Sequence, residues 1–470
     1  MRNHLIIFFL LGWSCSAITQ SITGTWTGTL DVQGTQLRIV FHVEKTTDGF
    51  KTLMDSPDQG AKGIPTDKTT FEENILIVEA SALGMKYKGT YSQAEERITG
   101  TFQQGPASLP LNLSKEEVKV EKKTRPQDPQ DFPYIQENVQ FENTVDGVTL
   151  AGTLSLPKGQ SPSKVVVLIS GSGPQNRDEE VASFNHRPFL VLSDYLTRQG
   201  IGVLRYDDRG INESTGDFAS ATTADFSKDT EAAVHYLKAR KDLQNTQIGL
   251  IGHSEGGMIA PMVAARNKAV DFIVLLAGPG IPIDELMLTQ ARKVSQASGV
   301  PEPIIEANGK VLKNAYTYIK DNPHKEKDDL KEGLVGLFKE GIKAFPAVVQ
   351  QGIGDIDEFA NKEADGLLDP WFLYFIQFNP AYYLGKVQCP VYALNGTLDV
   401  QVTAEENLKG IEKALAKAGN KKVKIEAVEG FNHLFQKAKT GSIDEYPEIE
   451  ETFNEGIMEK ITNWIKTVEQ

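Results

Sequence analysis

The sequence predicts an α/β fold, a mostly parallel sheet flanked by helices, with a helical insertion and a separate all-β unit in front. Three observations carry this. Short apolar runs at 165–169, 203–206, 248–251, 272–276 and 391–394 read as buried strands. Helix-forming stretches at 189–199, 224–239 and 257–265 lie between most of them, the rhythm of parallel strands covered on both faces. Before residue 115 that alternation is absent, and strand-like runs at 25–32, 36–43, 74–79 and 97–103 are separated by Gly, Asp and Asn.

Taken in order, residues 1–20 read as a secretory signal. Arg2 gives the positive start, Leu5 to Leu11 an apolar run, and Ser14, Ser16 and Ala17 the small residues before cleavage. The run is too short for a permanent membrane span, which needs roughly 20 residues, so the chain is expected to be exported, periplasmic or secreted. A lipid anchor on Cys15 is the alternative, against which Trp13 stands where a small residue is wanted. Cleavage beyond Cys15 leaves Cys389 as the only cysteine and no internal disulfide; Cys389 itself reads as a buried small hydrophobe.

Residues 21–115 form the all-β unit, a sandwich or a barrel, whose opening Gly24-Thr-Trp26-Thr-Gly28 resembles that of small lipocalin-like barrels. Residues 116–136, rich in Lys, Glu, Pro and Gln, read as a linker. From 137 to 470 runs the α/β unit, entered by two strands at 139–143 and 149–156 around the turn Asp146-Gly147. Its strand alternation breaks at about 282–383, which is largely helix-forming and is expected to form a cap over the carboxyl edge of the sheet, where open α/β sheets bind ligands.

Composition narrows the function. The chain has 470 residues and a formal net charge of −14, which argues against a nucleic-acid partner because phosphate binding needs a surplus of Lys and Arg on some face. There is no H-E-x-x-H, no cysteine pair and no clustering of histidine, so no metal is expected. No G-x-G-x-x-G or phosphate-cradling loop stands between a strand and a helix, and no cofactor is expected either.

The stretch Gly252-His253-Ser254-Glu255-Gly256-Gly257 follows an apolar strand and opens a helix. A serine on such a corner projects its hydroxyl from the top of the sheet, and glycines two residues either side avoid collision with neighbouring backbone. The helix then points its positive end at the corner. Ser254 is therefore the candidate nucleophile. Among the seven histidines, His433, late in the chain after the strand-like 423–427, is the candidate base, with His186 not dismissed by position. Asp399, the first carboxylate after the strand at 391–394, is the candidate acid, and Asp284 competes. The oxyanion donors are expected to be the N–H of Glu255 and one from the loop Ser170-Gly171-Ser172-Gly173-Pro174, Ser172 or else Gly173. Asp207-Asp208-Arg209 and the aromatic group from Trp371 to Tyr383 read as ion pairing and packing, with substrate contact by Arg209 or the aromatics left open.

These motifs carry a resemblance. Gly171-Ser-Gly-Pro174 with Arg177-Asp178, Arg205-Tyr-Asp-Asp-Arg-Gly210 with Ser214, and Gly252-His-Ser-Glu-Gly-Gly257 stand in one order over roughly 139–470. In this the chain resembles the bacterial serine carboxylesterases of the α/β-hydrolase superfamily, the EstD-type esterases related to serine-aminopeptidase-like hydrolases. Ser170 departs from the pattern, since many such hydrolases have His before the loop glycine. The resemblance implies an α/β-hydrolase fold, an N-terminal β domain, a helical cap, and an acyl-enzyme route to hydrolysis of short- to medium-chain carboxylic esters. The expected partner is a small-molecule ester, and a homodimer is left open. Two other readings stand beside it: an exported serine peptidase or aminopeptidase on the same machinery, and a non-catalytic glycan- or lipid-binding protein.

Overall fold

The structure is a computed structural model, and it describes residues 22–32, 35–57, 61–104, 107–116, 125–159 and 161–469. The expected signal and Cys15 lie outside these residues, as does part of the expected linker. The chain divides into two compact units, Met1–Lys123 with Ala182–Phe184, and Thr124–Val181 with Asn185–Gln470.

The first unit is an antiparallel barrel-like sheet. Its strands are β1 (Gly24–Val32), β2 (Thr35–Thr46), β3 (Gly49–Ser56), β4 (Ala61–Pro65), β5 (Lys68–Glu72), β6 (Ile75–Ala80), β7 (Met85–Ser92), β8 (Arg97–Gln104) and β9 (Ala107–Ser114). They lie in the order β2-β1-β9-β8-β7-β6-β5-β3-β4, and a further pairing of β2 with β3 closes the ring. The alternation that makes this work is plain in β7, where Met85, Tyr87, Gly89 and Tyr91 face inward and Lys86, Lys88 and Thr90 outward. Trp26, Phe41, Tyr87 and Leu111 fill the interior, and the Trp26 indole donates to the Ile22 carbonyl at 2.7 Å.

The second unit is an eight-stranded sheet in the order β10-β11-β13-β12-β14-β15-β16-β17. These are Ile135–Asn143, Val148–Leu156, Lys164–Ile169 (β12), Gly202–Tyr206 (β13), Gln247–His253 (β14), Phe272–Leu276 (β15), Val391–Gly396 (β16) and Val423–Val428 (β17). The first two strands are antiparallel, as is the β11–β13 pair, and the rest run parallel. This one-reversal order with a serine corner after β14 is that of the α/β hydrolases. Alternate residues of each strand serve opposite faces. Val165, Val167 and Ile169 pack with α2 (Thr223–Ala239), α3 (Gly256–Ala264) and α11 (Ala404–Lys417); Val166 and Leu168 pack with α1 (Pro188–Arg198) and α12 (Glu455–Thr467).

Between β15 and β16 the chain forms α4 (Ile283–Ala297), α5 (Glu302–Asp321), α6 (Lys327–Ile342), α7 (Ala347–Ile353), α8 (Ile356–Leu367), α9 (Pro370–Ile376) and α10 (Ala381–Leu384). This helical insertion has its own apolar core, which Met258 and Met262 of α3 join. The expected linker up to 136 differs in its second half. Arg125 is buried and its guanidinium donates to the carbonyls of Ile449 at 2.7 Å and Glu451 at 3.2 Å, while Tyr134 donates to Asp194 at 2.9 Å. Polar residues that composition reads as solvated here cap backbone carbonyls of the second unit. Among the described residues no helix is long and apolar enough to cross a membrane.

Candidate active site

Ser254 follows β14 with φ of +52°, in the left-handed region that costs a non-glycine residue about 1–3 kcal/mol. Its N–H donates to the Leu276 carbonyl at 2.9 Å, and its own carbonyl accepts from Gly257 at 2.9 Å, so the turn into α3 is fixed from both sides. A Cβ at Gly252 would collide with the Gly256 carbonyl, and one at Gly256 with the Ile169 carbonyl. Each flanking glycine is thus demanded by backbone. Ser254 is half-exposed while His253 and Glu255 on either side are buried.

Asp399 sits in the turn after β16. Its Oδ1 accepts from the backbone of Gln401 at 2.8 Å and Val402 at 2.9 Å, which leaves Oδ2 for His433 Nδ1 at 2.8 Å. His433 lies in a turn shaped by Asn432, whose Oδ1 accepts from Leu434 and Gln436, both at 3.0 Å. With Nδ1 donating to a carboxylate, the proton-accepting nitrogen of the neutral ring is Nε2. The His433 ring centroid lies 4.8 Å from that of His253, the neighbour of Ser254. No hydrogen bond joins Ser254 Oγ to His433 among the described residues; such bonds are often long before substrate binds.

The competing residues are engaged elsewhere. Asp284, in the first turn of α4, pairs with Lys320 at 2.6 Å. His186 is fully buried with Nε2 on the Thr452 carbonyl at 2.9 Å, and burial with the nearby Arg125 charge depresses its pKa to about 3.

The loop after β12 is held at both ends. Ser170 Oγ donates to Asp208 Oδ1 and the Gln175 N–H to Asp208 Oδ2, each at 3.1 Å, and the Gly171 N–H donates to Glu179 at 2.7 Å. Ser170, where the family pattern often has His, thus serves as an anchor. Between these anchors, the N–H groups of Ser172 and Gly173 meet no acceptor among the described residues, and neither does that of Glu255. Burial pushes the Asp208 carboxyl well up, with the bonds from Gln175 and Ser170 opposing. Asp207 is paired with Arg177 at 2.5 Å, and Arg209 with Asp229 at 2.6 Å and Asp146 at 2.9 Å, so this charged trio fixes loops.

Several neighbours escape sequence reasoning. The Glu255 side chain is buried, and its Oε1 accepts from Thr223 at 2.6 Å and from the Trp371 indole of α9 at 2.9 Å; burial raises its pKa while these bonds and Ser172 lower it. Trp371, read as packing, does stack on Phe375 at 4.6 Å and also reaches the residue after Ser254. Glu179 and His253 pair at 2.8 Å, and His253 also bonds the His433 carbonyl at 3.0 Å. The acidic run after the loop and the histidine beside the serine were the available signals, but nothing in the sequence joins residues 74 positions apart. Cys389 is half-buried and burial pushes its thiol up to about 12. No group of three or more His, Cys, Asp and Glu suited to a metal ion occurs among the described residues.

The chain is similar to several known proteins. The family model for serine aminopeptidase, S33 (Hydrolase_4), matches residues 182–330, which hold Ser254 but end before Asp399. A stretch of 164 residues, 34% of this chain, is 35% identical to the esterase EstD of Thermotoga maritima. The match spans 38% of that relative's length. Among solved structures, the Pyrococcus furiosus esterase Pf2001 aligns over 74% of this chain and 96% of its own, with TM-score 0.42 and 17% identity. Est1E of Butyrivibrio proteoclasticus, solved with ferulic acid, aligns over 70% and 98%, with TM-score 0.39 and 17% identity. By its sheet order, its serine corner and the match over residues 182–330, the protein is an α/β-hydrolase-fold chain similar to the serine aminopeptidase-like hydrolases and to EstD.

Proposed function

We propose that the protein is a serine carboxylic-ester hydrolase acting through an acyl-enzyme on short- to medium-chain acyl esters. The observation that carries this is Ser254 strained at φ +52° on its corner, in a unit that also holds the His433–Asp399 pair at 2.8 Å. Ser254 Oγ attacks the ester carbonyl while His433 Nε2 takes its proton. The N–H of Glu255 and that of Ser172 (or Gly173) stabilise the tetrahedral oxyanion. The alcohol leaves with the proton from His433, and water repeats the cycle on the acyl-enzyme. Asp399 keeps the imidazole in the right tautomer and stabilises the imidazolium.

No cofactor is required. The helical insertion acts as a cap over the carboxyl edge of the sheet, a role supported by the bond from Trp371 to Glu255. The leader at 1–20 directs export to the periplasm or beyond, with anchoring through Cys15 as the alternative. EstD, 35% identical over 164 residues, bears the name esterase, which favours the same reaction class.

The description of the family model favours a second reading, an aminopeptidase. Such an enzyme needs an acid free to bind an amino terminus. Glu255, the carboxylate next to Ser254, has its Oε1 enclosed by Thr223 and Trp371, which favours the esterase. The test is turnover of nitrophenyl acetate and butyrate against aminoacyl anilides, with wild type and Ser254→Ala. Ester turnover is expected to dominate and to fall by about 10³-fold or more in Ser254→Ala, with fluorophosphonate labelling abolished. Anilide turnover far above ester turnover would shift the assignment to the peptidase. Absence of labelling and of both activities would leave the binding-protein reading.

A further inference from the structure

Behind the serine corner lies a buried ion pair that the proposed mechanism does not use. Glu179 Oε1 accepts the Gly171 N–H at 2.7 Å and faces His253 Nδ1 at 2.8 Å. His253 Nε2 faces the His433 carbonyl at 3.0 Å. Both side chains are buried. One carboxylate oxygen therefore touches the oxyanion loop and, through one imidazole, the backbone of the candidate base.

The atom types constrain the protonation of that imidazole. A backbone carbonyl only accepts, so Nε2 must carry a proton. Nδ1 faces the carboxylate oxygen that already takes the Gly171 N–H, and it too is matched when it donates. Beside an ionised Glu179, a neutral ring carries one proton and satisfies only one of these contacts. A cationic ring satisfies both, and the Glu179 charge compensates it.

We propose that Glu179 and doubly protonated His253 are positioning residues, a buried ion pair that fixes the His433 backbone and the 170–174 loop in one register relative to Ser254. The role rests on the esterase reading, while the charge state of His253 does not.

Further geometry agrees. Glu179 has φ of +52°, so its backbone is bent at a cost in delivering the carboxylate. The Glu179 N–H donates to the Asn176 carbonyl at 2.9 Å, and Asn176 Oδ1 takes the N–H of Asp178 at 2.9 Å, a turn that holds the bend. At Gly171 an added Cβ would lie 3.2 Å from Ser254 Cβ and 3.4 Å from Glu179 Oε1, so pair, loop and serine pack against one another. Burial opposes charge on His253, but the Glu179 charge and hydrogen bond, then the His433 carbonyl and Asp399, raise its pKa. Arrangements of this kind matter because a displacement of about 1 Å remote from the reacting atoms can cost about 10²-fold in rate.

The experiment uses the full-length protein labelled with ¹⁵N-histidine, at pH 8. One ring, assigned to residue 253 by its loss in His253→Gln, is expected to show both nitrogens at protonated shifts. A neutral ring at 253 overturns the proposal. In Glu179→Gln the ring is expected to become neutral, and kcat on nitrophenyl butyrate to fall about 10²-fold with KM within about threefold. A folded Glu179→Gln with wild-type kcat overturns the positioning role. If that variant does not fold, the wild-type spectrum still decides the charge state. Failure of the esterase reading looks different: Ser254→Ala keeps ester turnover while the His253 spectrum stays cationic.

Discussion

The interior of the barrel and the carboxyl edge of the parallel sheet are both withdrawn from water, yet they bury different things. Among the described residues of the barrel, the buried polar side chains are Thr27, Thr52 and Ser56, and none is charged. At the sheet edge lie Glu179, Asp208, His253, Glu255, Asp399 and His433, all buried. Enclosing an ionisable group costs several kcal/mol unless partners offset it. A chain that gathers six carboxyl and imidazole groups at one edge, and none among the described buried residues of the barrel, concentrates its candidate chemistry at the edge. The barrel interior is instead taken up by Trp26, Phe41 and Tyr87.

The contrast breaks first at Asp399. Asp399→Asn keeps the size of the side chain but reverses what it offers His433 Nδ1, now 2.8 Å from a carboxylate oxygen. The expected result is a fall in kcat of about 10⁴-fold on nitrophenyl esters with unchanged thermal unfolding, as for the corresponding change in the serine triad. A fall under about tenfold would mean that the pair is structural and that the concentration of charge has another cause.

How much of this could be read beforehand depended on the range of the interaction. The strand Phe272–Leu276 was legible because five buried residues in a row leave only a strand covered on both faces. The serine corner was legible because Gly252 and Gly256 answer to local backbone collisions. Asp399 and His433, 34 positions apart, were found only because chain order in this fold is known in advance. Glu179 with His253, and Arg125 with Ile449, had no such guide. Their meaning is a contact across 74 and 324 residues, and composition alone made Arg125 look solvated. In the same way the aromatic group at 371–383 was legible as packing, while the Trp371 indole on Glu255 was not.

A second variant sharpens the comparison by asking whether every buried charge near the edge serves chemistry. Arg209 pairs with Asp229 in a site where both side chains are nearly inaccessible, and Asp229 keeps only Asn143 at 2.7 Å when the guanidinium is removed. Arg209→Met is expected to lower stability by about 3 kcal/mol or more, because an uncompensated charge stays buried, read as a lower urea midpoint. The kcat of the folded fraction should stay within about threefold. Lost turnover at unchanged stability would instead bring Arg209 into contact with substrate.

The smallest effect is expected inside the barrel. Tyr87 is fully buried, and its hydroxyl donates to the Leu111 carbonyl at 3.2 Å, with the Ile98 carbonyl at 3.5 Å. Burial raises its pKa, so the phenol stays neutral and the bond is one between uncharged groups. Such a bond contributes about 1 kcal/mol net. Tyr87→Phe preserves the ring contact with Phe41, whose centroid is 5.3 Å away, and should therefore cost about that much in the unfolding of the barrel. Ester turnover should not change. A loss of turnover from this one oxygen, deep in an uncharged interior, would join the barrel to the chemistry and end the separation between the two regions.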